Sequence, residues 1–135
     1  MSNEVTGKVI AIVSDLFFSA KIGETAKQIG LDTTFINSME DVANIVCQVQ
    51  SKPVIIVLDL NHDTVDPIKA IKLMKTSTPH IAVPLIGFVR HEMSGLGNLA
   101  RHAGCKVLSR NAFSKQLPKI LLRELCLDNN PADDR

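Results

Sequence analysis

The chain has 135 residues, the length of one ordinary domain, and enough to bury a core without disulfide or metal staples. Hydrophobic residues at 45% and charged residues at 21% exclude a disordered or fibrous chain. Fifteen basic against fourteen acidic side chains, with no Trp and no Tyr, give no bulk electrostatic case for nucleic acid and few stacking platforms for bases or flavins.

The polar stretch Met1 to Gly7 carries no apolar signal segment. Val9 to Val13 is then a continuous β-rich run, as expected of a strand buried on both faces. A helix over about Leu16 to Ile29 stops at Gly30, and a weaker strand follows from Thr33 to Ile36. Val42, Ile45, Val46 and Val49 fall at helical spacing behind Ser38 and Asp41, a variant capping box. Val54 to Leu58 is a second buried strand, introduced by Pro53. Asp66-Pro67 caps and opens a helix over Ile68 to Lys75. Ile81 to Val89 is a further strand, in which Pro84 predicts incomplete pairing near the start. Leu96, Leu99, Ala100 and Ala103 form a helical stripe that ends at Gly104, and Lys106 to Leu108 is the last strand. The final helix is expected from near Ser114 to about Leu127, with Pro118 in its first turn.

Strand and helix thus alternate five times. Right-handed crossovers and strands buried on both faces predict an α/β, flavodoxin-like doubly wound sheet of five parallel strands, order 2-1-3-4-5. The domain is expected over residues 1–127, with 128–135 as a polar tail. No apolar run approaches the ~20 residues of a membrane span. Cys47, Cys105 and Cys126 form no Cys-x-x-Cys pair, so reduced thiols in a cytoplasmic protein are expected.

Ligands of such sheets bind at the carboxyl ends of the strands. Those ends carry Ser14-Asp15, Asp59-Leu60-Asn61-His62, Val89-Arg90-His91 and Ser109-Arg110-Asn111. Asp15 and Asp59 should lie on adjacent strands, where two carboxylates need a cation, an Arg or a shared proton between them. Here the chain resembles response-regulator receiver domains of the CheY-like superfamily over roughly residues 7 to 127. Val57-Leu58-Asp59-Leu60-Asn61 is similar to the receiver segment ending in the phosphoaccepting Asp, and Ala103-Gly104 to the pair before the fifth strand. Asp66 falls where receivers carry Asp-Gly, with Pro67 in place of Gly.

The departures point to a degenerate variant, a pseudo-receiver. The acidic pair that holds magnesium in receivers is Ser14-Asp15, leaving Asp15 and Asp59 as ligands of a weak magnesium site if any. Val89-Arg90 stands where receivers have Thr or Ser and a small residue. The receiver Lys corresponds to Arg110 or Asn111, and the switch aromatic to Val107 or Leu108. Either Arg90 or Arg110 is expected to pair with Asp59.

Other features have plainer readings. His62, His80, His91 and His102 match no metal spacing and are expected to be exposed or capping. Asp59-x-Asn61-x-Asp63 lacks the second Asp of the haloacid-dehalogenase motif, and no glycine-rich phosphate loop follows the first strand. Of Phe17 and Phe18, one ring should be core and one partly exposed. The basic stripes Lys69-Lys72-Lys75 and Lys115-Lys119-Arg123 are expected to be solvated, with docking of an acidic partner the alternative. The apolar arc of the last helix is wider than one sheet contact requires, so Leu122 and Cys126 are candidates for a homodimer or partner contact.

The functional expectation is a stand-alone, non-enzymatic signalling module that acts through a protein partner without phosphotransfer, and with no cofactor. The alternatives are an atypical receiver phosphorylated on Asp59 by a histidine kinase, and a small-molecule sensor at the strand ends.

Overall fold

The computed structural model describes residues 7–46, 53–76, 83–90 and 95–128, with side chains as far as Glu124. Cys47, His80, His91, the side chain of Cys126 and the tail from 129 lie outside the described residues. Five strands, β1 (Gly7–Ile12), β2 (Leu31–Phe35), β3 (Ile55–Asp59), β4 (Leu85–Val89) and β5 (Lys106–Ser109), form one sheet in the order β2-β1-β3-β4-β5. All four pairings are parallel. The helices between and after them are α1 (Leu16–Gln28), α2 (Met39–Val46), α3 (Pro67–Thr76), α4 (Leu96–His102) and α5 (Arg110–Asp128). The sequence-predicted order is the observed one.

The continuous apolar strands build two cores, one on each face of the sheet. Ile10 and Ile12 of β1, with Ile56 and Leu58 of β3, face α2, α3 and α4 through Ile45, Ile71, Met74 and Ala100. Their neighbours Val9, Ala11, Ile55 and Val57 face α1 and α5 through Phe18, Ile22, Phe113, Leu117 and Leu121. The period-two alternation of a strand therefore divides each hydrophobic run between two layers of helices.

Local signals set the helix ends. Ser38 Oγ accepts from Asp41 N–H at 3.1 Å, and Asp66 Oδ1 accepts from Ile68 and Lys69 N–H at 3.1 and 3.2 Å. Gly104 takes φ +109°, which ends α4 as expected of a glycine after the last turn. One boundary differs from expectation. The last helix begins at Arg110, not near Ser114, so Pro118 lies inside it. The reason is Ser109, whose Oγ accepts from Ala112 N–H at 3.1 Å and caps the helix directly at the end of β5.

Candidate functional site

The carboxyl ends of β1, β3, β4 and β5 meet around Asp15 and Asp59. Asp15 follows β1 and caps α1, its Oδ1 accepting from Phe18 N–H at 3.1 Å. Its other oxygen, Oδ2, accepts from Arg110 Nη2 at 3.1 Å, an ion pair with both side chains about one-third exposed. Arg110 is the first residue of α5, and its guanidinium also lies 4.8 Å from the centroid of the Phe18 ring. That ring is the outermost of a stack, 4.6 Å from Phe88, which is 4.7 Å from Phe113. The stack gives the planar guanidinium a floor that orients it towards Asp15. Of the two adjacent phenylalanines, Phe18 is therefore the core residue and Phe17 is 63% exposed.

Asp59 ends β3 and is buried. Its Oδ1 accepts from Asn61 N–H at 2.9 Å. Burial pushes the Asp59 carboxyl above the usual carboxylate range, against the Asn61 N–H and the charges of His62 and Arg110, while Asp15 adds to the rise. The expected pairing of Asp59 with Arg90 or Arg110 is thus not what forms. Arg110 is engaged by Asp15, because the start of α5 at residue 110 puts its side chain over Phe18 beside the α1 cap. Arg90 is exposed and meets the site only through its backbone N–H, which donates to Asn61 Oδ1 at 2.7 Å.

No family model and no curated protein sequence matches the chain. Solved structures do. The receiver domain of the sensor histidine kinase PA1611 from Pseudomonas aeruginosa, with magnesium coordinated in its active-site cleft, superposes with a TM-score of 0.74 at 15% identity, covering 89% of this chain and 98% of that one. The chemotaxis response regulator CheY4 of Vibrio cholerae gives 0.72 at 13% identity, covering 87% and 98%. The Francisella response regulator 1452 receiver domain gives 0.72 at 18%, covering 91% and 99%. This chain has the receiver-domain fold.

Within that fold the strand-end cleft differs from a divalent-cation site in its donor set. Among the described residues no group of three or more His, Cys, Asp and Glu side chains is placed to hold a metal ion. Ser14 is exposed beside Asp15 and brings no charge. Both oxygens of Asp15 are already engaged, one of them by a guanidinium. A cation that needs carboxylate charge would have to displace another cation, so the residues as arranged do not fit magnesium. Val89 is buried and presents no hydroxyl. Asn111, the other residue considered for the receiver Lys position, is exposed, which leaves Arg110 as the cation at the cleft.

Two residues do more than sequence reasoning assigned them. Asn61 joins the end of β3 to the end of β4, donating its N–H to Asp59 and accepting the Arg90 N–H on its side chain. His62 is buried, and its Nδ1 accepts from Thr64 and Val65 N–H at 3.1 and 3.2 Å. It is a capping histidine, as one expected alternative had it, but not an exposed one. Burial pushes its pKa down, against the pull of Asp59 and Asp63. Asn is a residue type whose side chain readily bonds backbone groups in loops, whereas no sequence signal marks His62 as an acceptor.

Proposed function

We propose that this receiver-like domain is a two-component-type signalling module that works through protein contacts, without phosphotransfer to Asp59 and without enzymatic activity of its own. The observation that carries this reading is the Arg110–Asp15 pair at 3.1 Å. Phosphorylating a carboxylate needs a divalent ion to neutralise developing charge on the phosphoryl oxygens. Here the guanidinium supplies the positive charge beside Asp15. It is covalently part of the chain, so it does not come and go with metal concentration. Asn61 Oδ1 meanwhile takes the Arg90 N–H, a backbone donor that an incoming anion at the end of β4 would use. The Asp15 carboxylate and the Arg90 N–H are thus engaged within the chain.

A second reading, an atypical receiver phosphorylated on Asp59 by a histidine kinase with a weakened magnesium site, has one observation in its favour. Among the described residues only Oδ1 of Asp59 accepts a hydrogen bond, which leaves Oδ2 available as a nucleophile. Intact-mass analysis after incubation with magnesium and acetyl phosphate separates the two. The expected result is no phosphoryl adduct under conditions that label an ordinary receiver. An adduct on the parent that is absent from Asp59→Asn would overturn the first reading and support the second.

A further inference from the structure

Hydrogen bonds from side chains to segments distant in sequence gather at the carboxyl end of the sheet. Arg110 reaches Asp15, Asn61 Oδ1 takes the Arg90 N–H, and Thr64 Oγ1 donates to the Asn37 carbonyl at 2.8 Å. Two of these bonds start from one loop, the segment from Asp59 to Val65. That loop is stiff. Leu60 N–H donates to Phe88 O at 3.0 Å, and His62 N–H to Asp59 O at 3.1 Å. Asp59 Oδ1 takes the Asn61 amide, and His62 Nδ1 takes those of Thr64 and Val65. Leu60, His62 and Val65 are buried. A segment held at so many points has no slack in which to lose a displacement, so it shifts as a body or not at all.

The far end of the loop meets the start of α2. Asn37, whose carbonyl takes the Thr64 hydroxyl, precedes Ser38, and Ser38 caps the helix. The Ser38 Oγ accepts from Asp41 N–H and its carbonyl from Val42 N–H, both at 3.1 Å. In the orientation that satisfies both polar atoms of its carboxamide, Asn37 Nδ2 also donates to Ile36 O at 3.2 Å and to Val13 O at 3.0 Å, which ties the cap to the end of β1. Helix α2 is an element that such a cap can control. It has eight residues, short of the roughly 12 at which a helix begins to persist alone. It therefore stands on its cap and on the burial of Val42 and Ile45.

We propose that the loop from Asn61 to Val65 is a strap through which the strand-end cleft sets the stability of α2. While Asn61 Oδ1 holds the Arg90 N–H, Thr64 holds Asn37 and Ser38 stays over the first amides of the helix. A group that takes the Arg90 N–H releases Asn61, the strap shifts, and the Thr64–Asn37 bond and the α2 cap loosen together. Val89, at the end of β4, is buried and has no hydroxyl to respond to such a group, which leaves the Asn61 side chain to do so. The two states are those of α2, capped or frayed, and by linkage whatever steadies the cap also tightens Asn61 on Arg90. The proposal goes beyond the reading of the Arg110–Asp15 pair and holds whether or not Asp59 is phosphorylated.

The test is amide hydrogen exchange read by NMR on the full chain. Asn61→Ala should speed exchange at Val42 and Ile45 by about threefold or more. Thr64→Val, at an exposed position, should do the same. The double variant should exchange there no faster than Thr64→Val alone, since the strap is already cut. Thr64→Val should in turn speed exchange of the Arg90 amide, and that reading stands by itself if Asn61→Ala fails to fold. Arg110→Ala, which cuts the Arg110–Asp15 bond instead, should leave Val42 and Ile45 unchanged. Unmoved α2 amides in Asn61→Ala would overturn the proposal, as would additive effects in the double variant or an unmoved Arg90 amide in Thr64→Val. Equal acceleration by Arg110→Ala would overturn it too, because general loosening would then explain the result.

Discussion

Arg110 touches Asp15 at 3.1 Å and lies over Phe18 at 4.8 Å, so one side chain ties the start of α5 to the start of α1. The pair is about one-third exposed, and with solvent screening it and the ring contact together contribute about 1 kcal/mol. Arg110→Ala should lower stability by about that amount in urea denaturation, and Arg110→Lys by less, since it keeps the charge but loses the planar contact. Asp59 is opposite in sign. Its raised pKa means that the folded state prefers the protonated form, so its contribution is present below the unfolded value and lost as pH rises through the folded one. Asp59→Asn keeps an acceptor for Asn61 N–H and should raise the melting temperature at pH 7, with the gain fading as pH falls through the folded value and gone below the unfolded one. His62→Ala leaves the Thr64 and Val65 amides without their acceptor and should cost about 1–3 kcal/mol. His62→Asn, which can offer an oxygen at the same place, should recover most of it. The gathering of Asp15, Asp59 and Arg110 was legible in the sequence, because strand ends converge in any sheet of this kind. Which carboxylate takes the guanidinium was not, because that depends on where α5 starts and on a stack of three rings from α1, β4 and α5.

The elements themselves were legible almost throughout, for a physical reason. Val9 to Val13 and Val54 to Leu58 are apolar at every position, and only a strand covered on both faces uses such a run. The start of α5 was obscured by Pro118, which reads as a first-turn residue yet stands inside the helix. Proline there removes an N–H, so Pro118→Ala should stabilise the domain by about 1 kcal/mol or more, readable in the thermal midpoint. Gly87, in the middle of β4, shows a constraint that pattern reading passes over. A Cβ there would meet Cys105 Sγ at 3.1 Å and Leu60 Cγ and Cδ2 at 3.2 Å. Gly87→Ala must push two buried neighbours apart at once and should cost about 1–3 kcal/mol.

Taken as a single body, the molecule distributes its charges unevenly. At the carboxyl end of the sheet, the Arg110–Asp15 pair and the Asn61 clasp are closed within the chain. Residues 67–123 hold ten Lys and Arg against one acid, whereas residues 1–66 hold four against nine. Net charge could not reveal that asymmetry, because it sums over both halves of the chain. The central claim concerns the carboxyl end, that an internal guanidinium occupies the place a divalent ion would need. Amide NMR spectra recorded through a magnesium titration test it most directly, on the parent and on Arg110→Ala. The amides of Asp15, Asp59 and Asn61 should stay unmoved in the parent and respond in the variant, where Asp15 is released. Saturable shifts at those amides in the parent at millimolar magnesium would contradict the account.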